Sequence, residues 1–249
     1  MLYWKRTKVF ADQRGHVLKL VFERKDAVAE TVVYRYPDYT DRTVICCSVQ
    51  SGCPVGCTFC GTGRRFVRNL SAYEIVDQVT TAMNQIVQTK SRDIKKLQIM
   101  FMSMGEPLLN WVNVRTAVRQ LHTWYPQAEL LLSTIAPRTG MDTYMQLLAL
   151  SKRIRQVGLQ VSVHAATDAD RDKVVPYSRK LTLQEISEFG ETWHRATRRH
   201  PVFNYCIPGT GEPRKAADRL ARIFSPETWH ATLSVICSTA RGQTDVCVC

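Results

Sequence analysis

Six short apolar segments, spaced by stretches of helical periodicity, constrain this chain more than any other feature. They are Val44–Val49, Leu97–Met102, Leu130–Thr134, Leu159–His164, Phe203–Ile207 and Thr232–Cys237, each bounded by polar or turn residues as a buried strand is. Between the first two, Ser71 and Glu74 have the spacing of a capping box, and apolar residues recur at Ala72, Ile75, Val76, Val79, Ala82, Met83, Ile86 and Val87, one stripe of a helix. Further helices are predicted over Val112–Thr123, Met141–Val157, Thr182–Arg198 and Lys215–Phe224, with a second capping box at Thr182 and Glu185. Such β-α alternation implies parallel strands joined by right-handed crossovers. Six units make an open sheet or a partial barrel, and periodicity alone does not choose between them. Ahead of them, residues 7–33 alternate around Gly15 and a charged Glu23-Arg24-Lys25-Asp26 turn, predicting a small antiparallel element.

The chain has 249 residues, 45% of them hydrophobic, enough to bury a core, and its ordinary Gly and Pro content excludes collagen-like and low-complexity classes. We expect an N-terminal β extension over residues 1–35 and a core over 36–249. No apolar run approaches the ~18 residues of a membrane span. The N-terminus lacks the pattern of a signal peptide, so a cytoplasmic protein with no membrane partner is expected. Lys and Arg number 34 against 22 Asp and Glu, a formal charge of +12. This excess points to a polyanion, RNA or DNA first, because neutralised phosphates release condensed counterions; a merely soluble basic surface is the alternative. Arg64, Arg65 and Arg68 are candidate phosphate contacts, and Arg195, Arg198, Arg199 and His200 either join them or complement a helix dipole. Trp4, Trp111, Trp193 and Trp229 are expected in packing rather than in base stacking.

In folds of this class ligands gather at the C-terminal ends of the strands, so the loops to read are Gly52–Gly63, Ser103–Asn110, Ser133–Thr139, His164–Arg171, Pro208–Glu212 and the tail from Ser238. Cysteine concentrates in the first. Nine Cys is an odd count and in a reducing compartment points to metal or catalysis rather than staples. Cys53, Cys57 and Cys60 form a C-x3-C-x2-C loop among small residues. Structural zinc usually takes four ligands in two knuckles, whereas three thiolates on a four-iron cluster leave one iron open. A zinc site completed by Cys46, Cys47 or a distant His is the alternative.

This loop resembles that of the radical S-adenosylmethionine (SAM) superfamily, which implies an α/β fold, a partial (β/α)6 barrel here carrying the small antiparallel element. It also implies one 4Fe-4S cluster held by Cys53, Cys57 and Cys60, and SAM on its open iron. Five segments resemble the RlmN/Cfr-type RNA adenine methyltransferases: Cys46–Cys53, Met104-Gly105-Glu106-Pro107-Leu108-Leu109-Asn110, Ser133-Thr134, Ser162-Val163-His164-Ala165 and Arg171–Pro176. Gly105, Glu106 and Pro107 would meet the SAM ammonium, Pro107 fixing a turn that aims a carboxylate. Ser133, Ser162 and His164, ending apolar strands, would hold its carboxylate and ribose.

The same resemblance implies a methyl-carrying Cys249, a resolving Cys46 and a proton-handling Glu30; a thiolate suits the first two roles as a nucleophile. Cys247 competes with Cys249. It further implies methylation of an adenine in ribosomal or transfer RNA, at carbon 2 with carbon 8 as the other outcome, and an electron donor such as a flavodoxin or ferredoxin. Two departures stand out. The chain begins at the β element, so no counterpart of the family's N-terminal helical accessory domain is expected, and Ile236-Cys237-Ser238-Thr239 stands where the family has an Asn-bearing stretch. The alternatives are a radical SAM enzyme with another substrate and no methyl-cysteine, and a non-catalytic zinc or disulfide RNA-binding module.

Overall fold

The computed structural model describes residues 3–63, 65–86, 91–207 and 212–235. All six anticipated strands are present and parallel, as β4 (Arg42–Cys47), β7 (Lys96–Phe101), β8 (Glu129–Thr134), β9 (Val157–Ser162), β10 (Val202–Ile207) and β11 (His230–Val235). The antiparallel element has three strands, β1 (Arg6–Ala11), β2 (Val17–Arg24) and β3 (Ala27–Arg35), and β3 pairs with β4. One nine-stranded sheet results, ordered β1-β2-β3-β4-β7-β8-β9-β10-β11. A two-stranded ribbon, β5 (Gln50–Gly52) with β6 (Phe66–Asn69), brackets the cluster loop, and its short strands carried no alternation to reveal them.

Helices α1 (Ala72–Gln85), α2 (Trp111–Trp124), α3 (Met141–Arg153), α4 (Asp168–Val174), α5 (Leu183–Thr197) and α6 (Pro213–Ile223) supply the crossovers and cap the strand ends. Both capping boxes form: Ser71 accepts from the Glu74 amide and Thr182 from the Glu185 amide, while each Glu reaches back to the cap amide. Each such cap stabilises its helix by about 1 kcal/mol. The helix expected over Met141–Val157 instead ends at Arg153, and Val157 opens β9. Ile154 closes it by donating its amide to Leu150 O at 2.8 Å. Ile154 and Val157 keep a helical spacing on both sides of that turn, and no Gly or Pro marks the stop. Helix α4 begins within the expected His164–Arg171 loop and runs past it to Val174; it starts on Thr167, whose hydroxyl accepts from the Asp170 amide. Among the described residues no helix is long and apolar enough to cross a membrane.

Strand alternation assigns the two faces of the sheet. One row runs Ile99–Leu130–Val157 across three strands and another Phe101–Leu132–Leu159; all are buried with residues of the helices in the main core. Each such Leu, Ile or Phe contributes about 1.5–3 kcal/mol when fully buried. The opposite face carries Lys19, Val32, Cys46, Met100 and Leu131 in one row, then Ser133 beside Gln160, and Ser162 beside Asn204. Its apolar cluster, Val17, Tyr34 and Val44 with Val32, Cys46 and Met100, consists of strand residues alone. This half-open polar face is the lumen side. Trp4, Trp111, Trp193 and Trp229 are all buried, as expected.

Candidate active site

The cluster loop leaves β5 at Gly52 and returns through Arg65 to β6, with Cys53 N donating to Arg65 O at 3.0 Å. Within it Cys60 N donates to Cys57 O at 3.1 Å, and Thr58 N to Val174 O at 3.0 Å, which ties the loop to the end of α4. Cys53, Cys57 and Cys60 are half-buried and none is in a disulfide. Burial pushes the Cys53 and Cys57 thiols up to about 12, and the charges of the neighbouring loop thiols and Glu106 act in the same direction. The thiols therefore share one electrostatic environment. Among the described residues no three His, Cys, Asp or Glu side chains form a group that could hold a metal ion. Three soft thiolate donors on a loop of small residues fit a four-iron core.

Glu106 lies at the end of β7, only 3% exposed. Its carboxylate accepts from Leu108 N at 3.0 Å, Thr134 Oγ1 at 2.5 Å and Ile135 N at 2.8 Å, while its own amide donates to Gln50 Oε1 at 2.8 Å. Burial raises its pKa to about 7, against these hydrogen bonds, which favour the anion. The expected turn is present, a 3-10 turn with Pro107 in its first position. The carboxylate therefore joins the ends of β7 and β8 within the protein, a role that sequence spacing did not reveal. Gly105 has φ +96° and a Cβ there would sit 2.5 Å from Gln50 Cβ, so only glycine lets this turn approach β5.

At the end of β9, His164 adopts φ +57° and is buried. Its Nδ1 accepts from Cys206 N at 3.3 Å, which leaves the proton on Nε2, and its ring meets Phe59 of the cluster loop edge-on at 4.7 Å. Burial, with Arg171 adding to it, lowers its pKa to about 4. Arg171 is fully buried: Nη1 donates to Leu181 O at 2.8 Å, and Nη2 to Ile135 O at 2.6 Å and Ser162 O at 3.2 Å. It thereby gathers the ends of β8 and β9 beside Cys57, whose charge it feels. Asn110 does the same on the other flank, donating to Val49 O and Leu70 O, each at 2.7 Å. Ser133 and Ser162 sit on the lumen side, Ser133 buried and Ser162 half-buried.

Cys46 is half-buried on the lumen side, opposite Val32. Glu30 precedes Val32 by two positions along β3, so it faces the same side, and pairs with Lys19 Nζ at 3.0 Å. The structure thus gathers the three loop thiols, Glu106 and His164 at the C-terminal strand ends, with Cys46 and Glu30 on the lumen face. Cys249, its competitor Cys247, and Arg64 lie outside the described residues. Of the basic residues beside the loop, Arg68 is committed to Glu74 and Asp26, whereas Arg65 is exposed. Arg199 is half-buried, donating to Val157 O and lying over the Trp193 ring.

No protein-family model matches the chain. Proteins named probable dual-specificity RNA methyltransferase RlmN do: that of Heliobacterium modesticaldum is 34% identical over 208 residues, 80% of this chain and 52% of the relative. The protein of that name from Thermus thermophilus is 34% identical over 233 residues, 91% of this chain and 62% of the relative. A crystal structure described as a radical SAM methyltransferase from Sphaerobacter thermophilus superposes with a TM-score of 0.78 at 30% identity, covering 92% of this chain and 66% of that one. The chain is an RlmN-type homologue with the radical SAM fold. It spans roughly half to three-fifths of the length of these RlmN relatives.

Proposed function

We propose that the protein is a radical SAM RNA methyltransferase that methylates an adenine, most directly at carbon 2, in ribosomal or transfer RNA through a methyl-cysteine. The observation that carries this is the meeting of the cluster loop, the Gly105-Glu106-Pro107 turn and His164 at one end of the parallel sheet, above a lumen face that holds Cys46.

Cys53, Cys57 and Cys60 would hold the 4Fe-4S cluster, shedding their protons to iron, since a thiol ligates as its thiolate. When bound, the cluster supplies an electron, drawn from a donor such as a flavodoxin or ferredoxin, for reductive cleavage of SAM to a 5′-deoxyadenosyl radical. Gly105, Glu106 and Pro107 shape the turn that receives the SAM ammonium, and Ser133, Ser162 and His164 line the strand ends for its carboxylate and ribose. His164 offers an Nε2–H donor, because Nδ1 is occupied by the Cys206 amide. The Cys249 thiolate takes a methyl group from one SAM, whose sulfonium sulfur leaves as a thioether. That methyl group, after losing a hydrogen atom to the 5′-deoxyadenosyl radical, bonds through its carbon to the adenine ring carbon; Cys46 then attacks the Cys249 sulfur, forming a disulfide as the carbon–sulfur bond breaks with its electron pair left on the carbon, which takes a proton. Glu30 handles the proton, held by its ion pair with Lys19 near the sheet face that carries Cys46.

The test is peptide mass spectrometry of the C-terminal fragment after anaerobic cluster reconstitution and incubation with methyl-labelled SAM, with C46A and C249A alongside. Label on Cys249 in wild type and C46A, and none there in C249A, supports the proposal. An unlabelled tail, with SAM still cleaved, replaces it with a radical SAM reaction that uses no methyl-cysteine.

A further inference from the structure

A cleft of about 520 Å³ opens between the β2–β3 turn and the β5–β6 ribbon. Its lining includes Lys25, Val28, Arg65, Val67 and Met104, and Gly61 and Thr62 of the cluster loop close one side. Three observations define its chemistry.

The first is its rigidity. Val28 N donates to Ser51 Oγ at 2.9 Å, which ties the β2–β3 hairpin to the ribbon. Gly52, at φ +76°, runs directly under Arg65: a Cβ there would lie 1.8 Å from Arg65 O. Arg68 holds the far wall, with Nε on Asp26 at 2.9 Å and both terminal nitrogens on the Glu74 carboxylate at 2.8 and 2.9 Å. The cleft is therefore preformed.

The second is charge. Arg68 and Arg24 together satisfy both nearby carboxylates, Asp26 and Glu74. Lys25 and Arg65 are exposed and have no acidic partner among the described residues, so two uncompensated cations stand on opposite walls. The third is an apolar surface between them: Val28 is 44% exposed and Val67 46%, large fractions for β-branched residues on strands, with Met104 beside them. Paired cations around an apolar patch match a nucleotide, with phosphates on the cations and the base face on the aliphatic groups.

We infer that this cleft binds a single-stranded RNA segment flanking the target base, with its phosphodiesters on Lys25 and Arg65 and a base on Val28, Val67 and Met104. The inference rests on the RNA reading of the active site. Its position suits that role, because the cleft shares Met104 with the turn that carries Gly105, and its Gly61–Thr62 wall continues directly from Cys60. An RNA strand lying there would be held against the loop that surrounds the reaction centre.

The test is fluorescence anisotropy of a labelled mixed-sequence single-stranded oligoribonucleotide with the full chain, across a salt series. K25A/R65A is compared with wild type and with R119A/K152A, a control on the exposed faces of α2 and α3. K25A/R65A is expected to bind about tenfold more weakly and to flatten the salt slope by about 1.4, the value for two lost phosphate contacts on a single strand, while the control stays at wild type. Photocrosslinking of thiouridine RNA to the wild-type chain is expected to label the peptides carrying Lys25–Val28 and Arg65–Val67, a readout that needs no variant to fold. Equal affinity and slope in all three proteins, with crosslinks elsewhere, would overturn the cleft and leave the RNA reading standing. Failure of the wild type to bind RNA at all would remove both.

Discussion

Thr134 donates its hydroxyl proton to Glu106 across 2.5 Å and accepts the Ala136 amide at 2.9 Å, so one side chain couples the last turn of β7 to the first turn beyond β8. The contact lies on the helix side of the sheet, while the neighbouring Ser133 faces the lumen. Adjacent hydroxyls thus divide two duties: Thr134 fixes the wall of the site and Ser133 is presented to whatever fills it.

Replacing Thr134 with Val keeps its shape and removes both hydrogen bonds. The buried Glu106 oxygen loses a donor and the Ala136 amide an acceptor, which costs about 1–3 kcal/mol of stability. Denaturant melts of T134V and T134S should separate by most of that amount, the Ser variant staying near wild type. Indistinguishable midpoints would show that the contact is not energetically significant.

A methyl group at Gly105 meets Gln50 at three atoms, between 2.5 and 2.8 Å, one of them backbone. Together with the left-handed φ, this displaces the turn before Glu106. G105A is expected to lose at least about 1–3 kcal/mol, the usual cost of overpacking, and to bind SAM more weakly in calorimetry than the reconstituted wild type. Unaltered SAM affinity would mean that the turn does not shape the SAM site.

His164 gives the fold a signed pH dependence. Its pKa is about 4 when folded and 6.5 in the open chain, so the unfolded state takes up the proton first as pH falls. Stability from the neutral, buried ring is therefore present above about pH 6.5 and is lost on acidification towards pH 4. Between pH 7 and 5 this single group accounts for about 2 kcal/mol. H164N tolerates the same left-handed backbone and has no such titration, so its stability should fall less over that interval. Parallel pH curves for the two proteins would contradict the assignment.

Removing one loop thiol leaves too few ligands for a stable cluster. C57A is expected to retain almost no iron after anaerobic reconstitution, whereas C206A, which alters a buried thiol on β10, should load like wild type. Full iron content in C57A would point to a different ligand set.

The parallel sheet was legible because its core residues recur with the strand period and its helices carry explicit start signals, Ser71 with Glu74 and Thr182 with Glu185. What escaped was decided by tertiary contact. The end of α3 escaped because Ile154 and Val157 preserve helical spacing across a turn with no Gly or Pro to announce it. The cluster thiols and the Gly105 turn were visible as motifs. The commitment of Arg68 to Asp26 and Glu74, and of Arg171 to three carbonyls, was not, since those partners lie 6 to 42 residues away in sequence and only folding brings them together.

The two faces of the strands carry separate obligations. Residues at Ile99, Leu130, Leu132 and Leu159 cannot change without disturbing the helices packed on them, but their sequence neighbours Met100, Leu131, Ser133 and Gln160 sit on the opposite face of the sheet, outside that core cluster. A lineage carrying this scaffold can therefore alter which molecule it accepts by substituting every second residue of a strand, and leave the folding of the protein almost untouched.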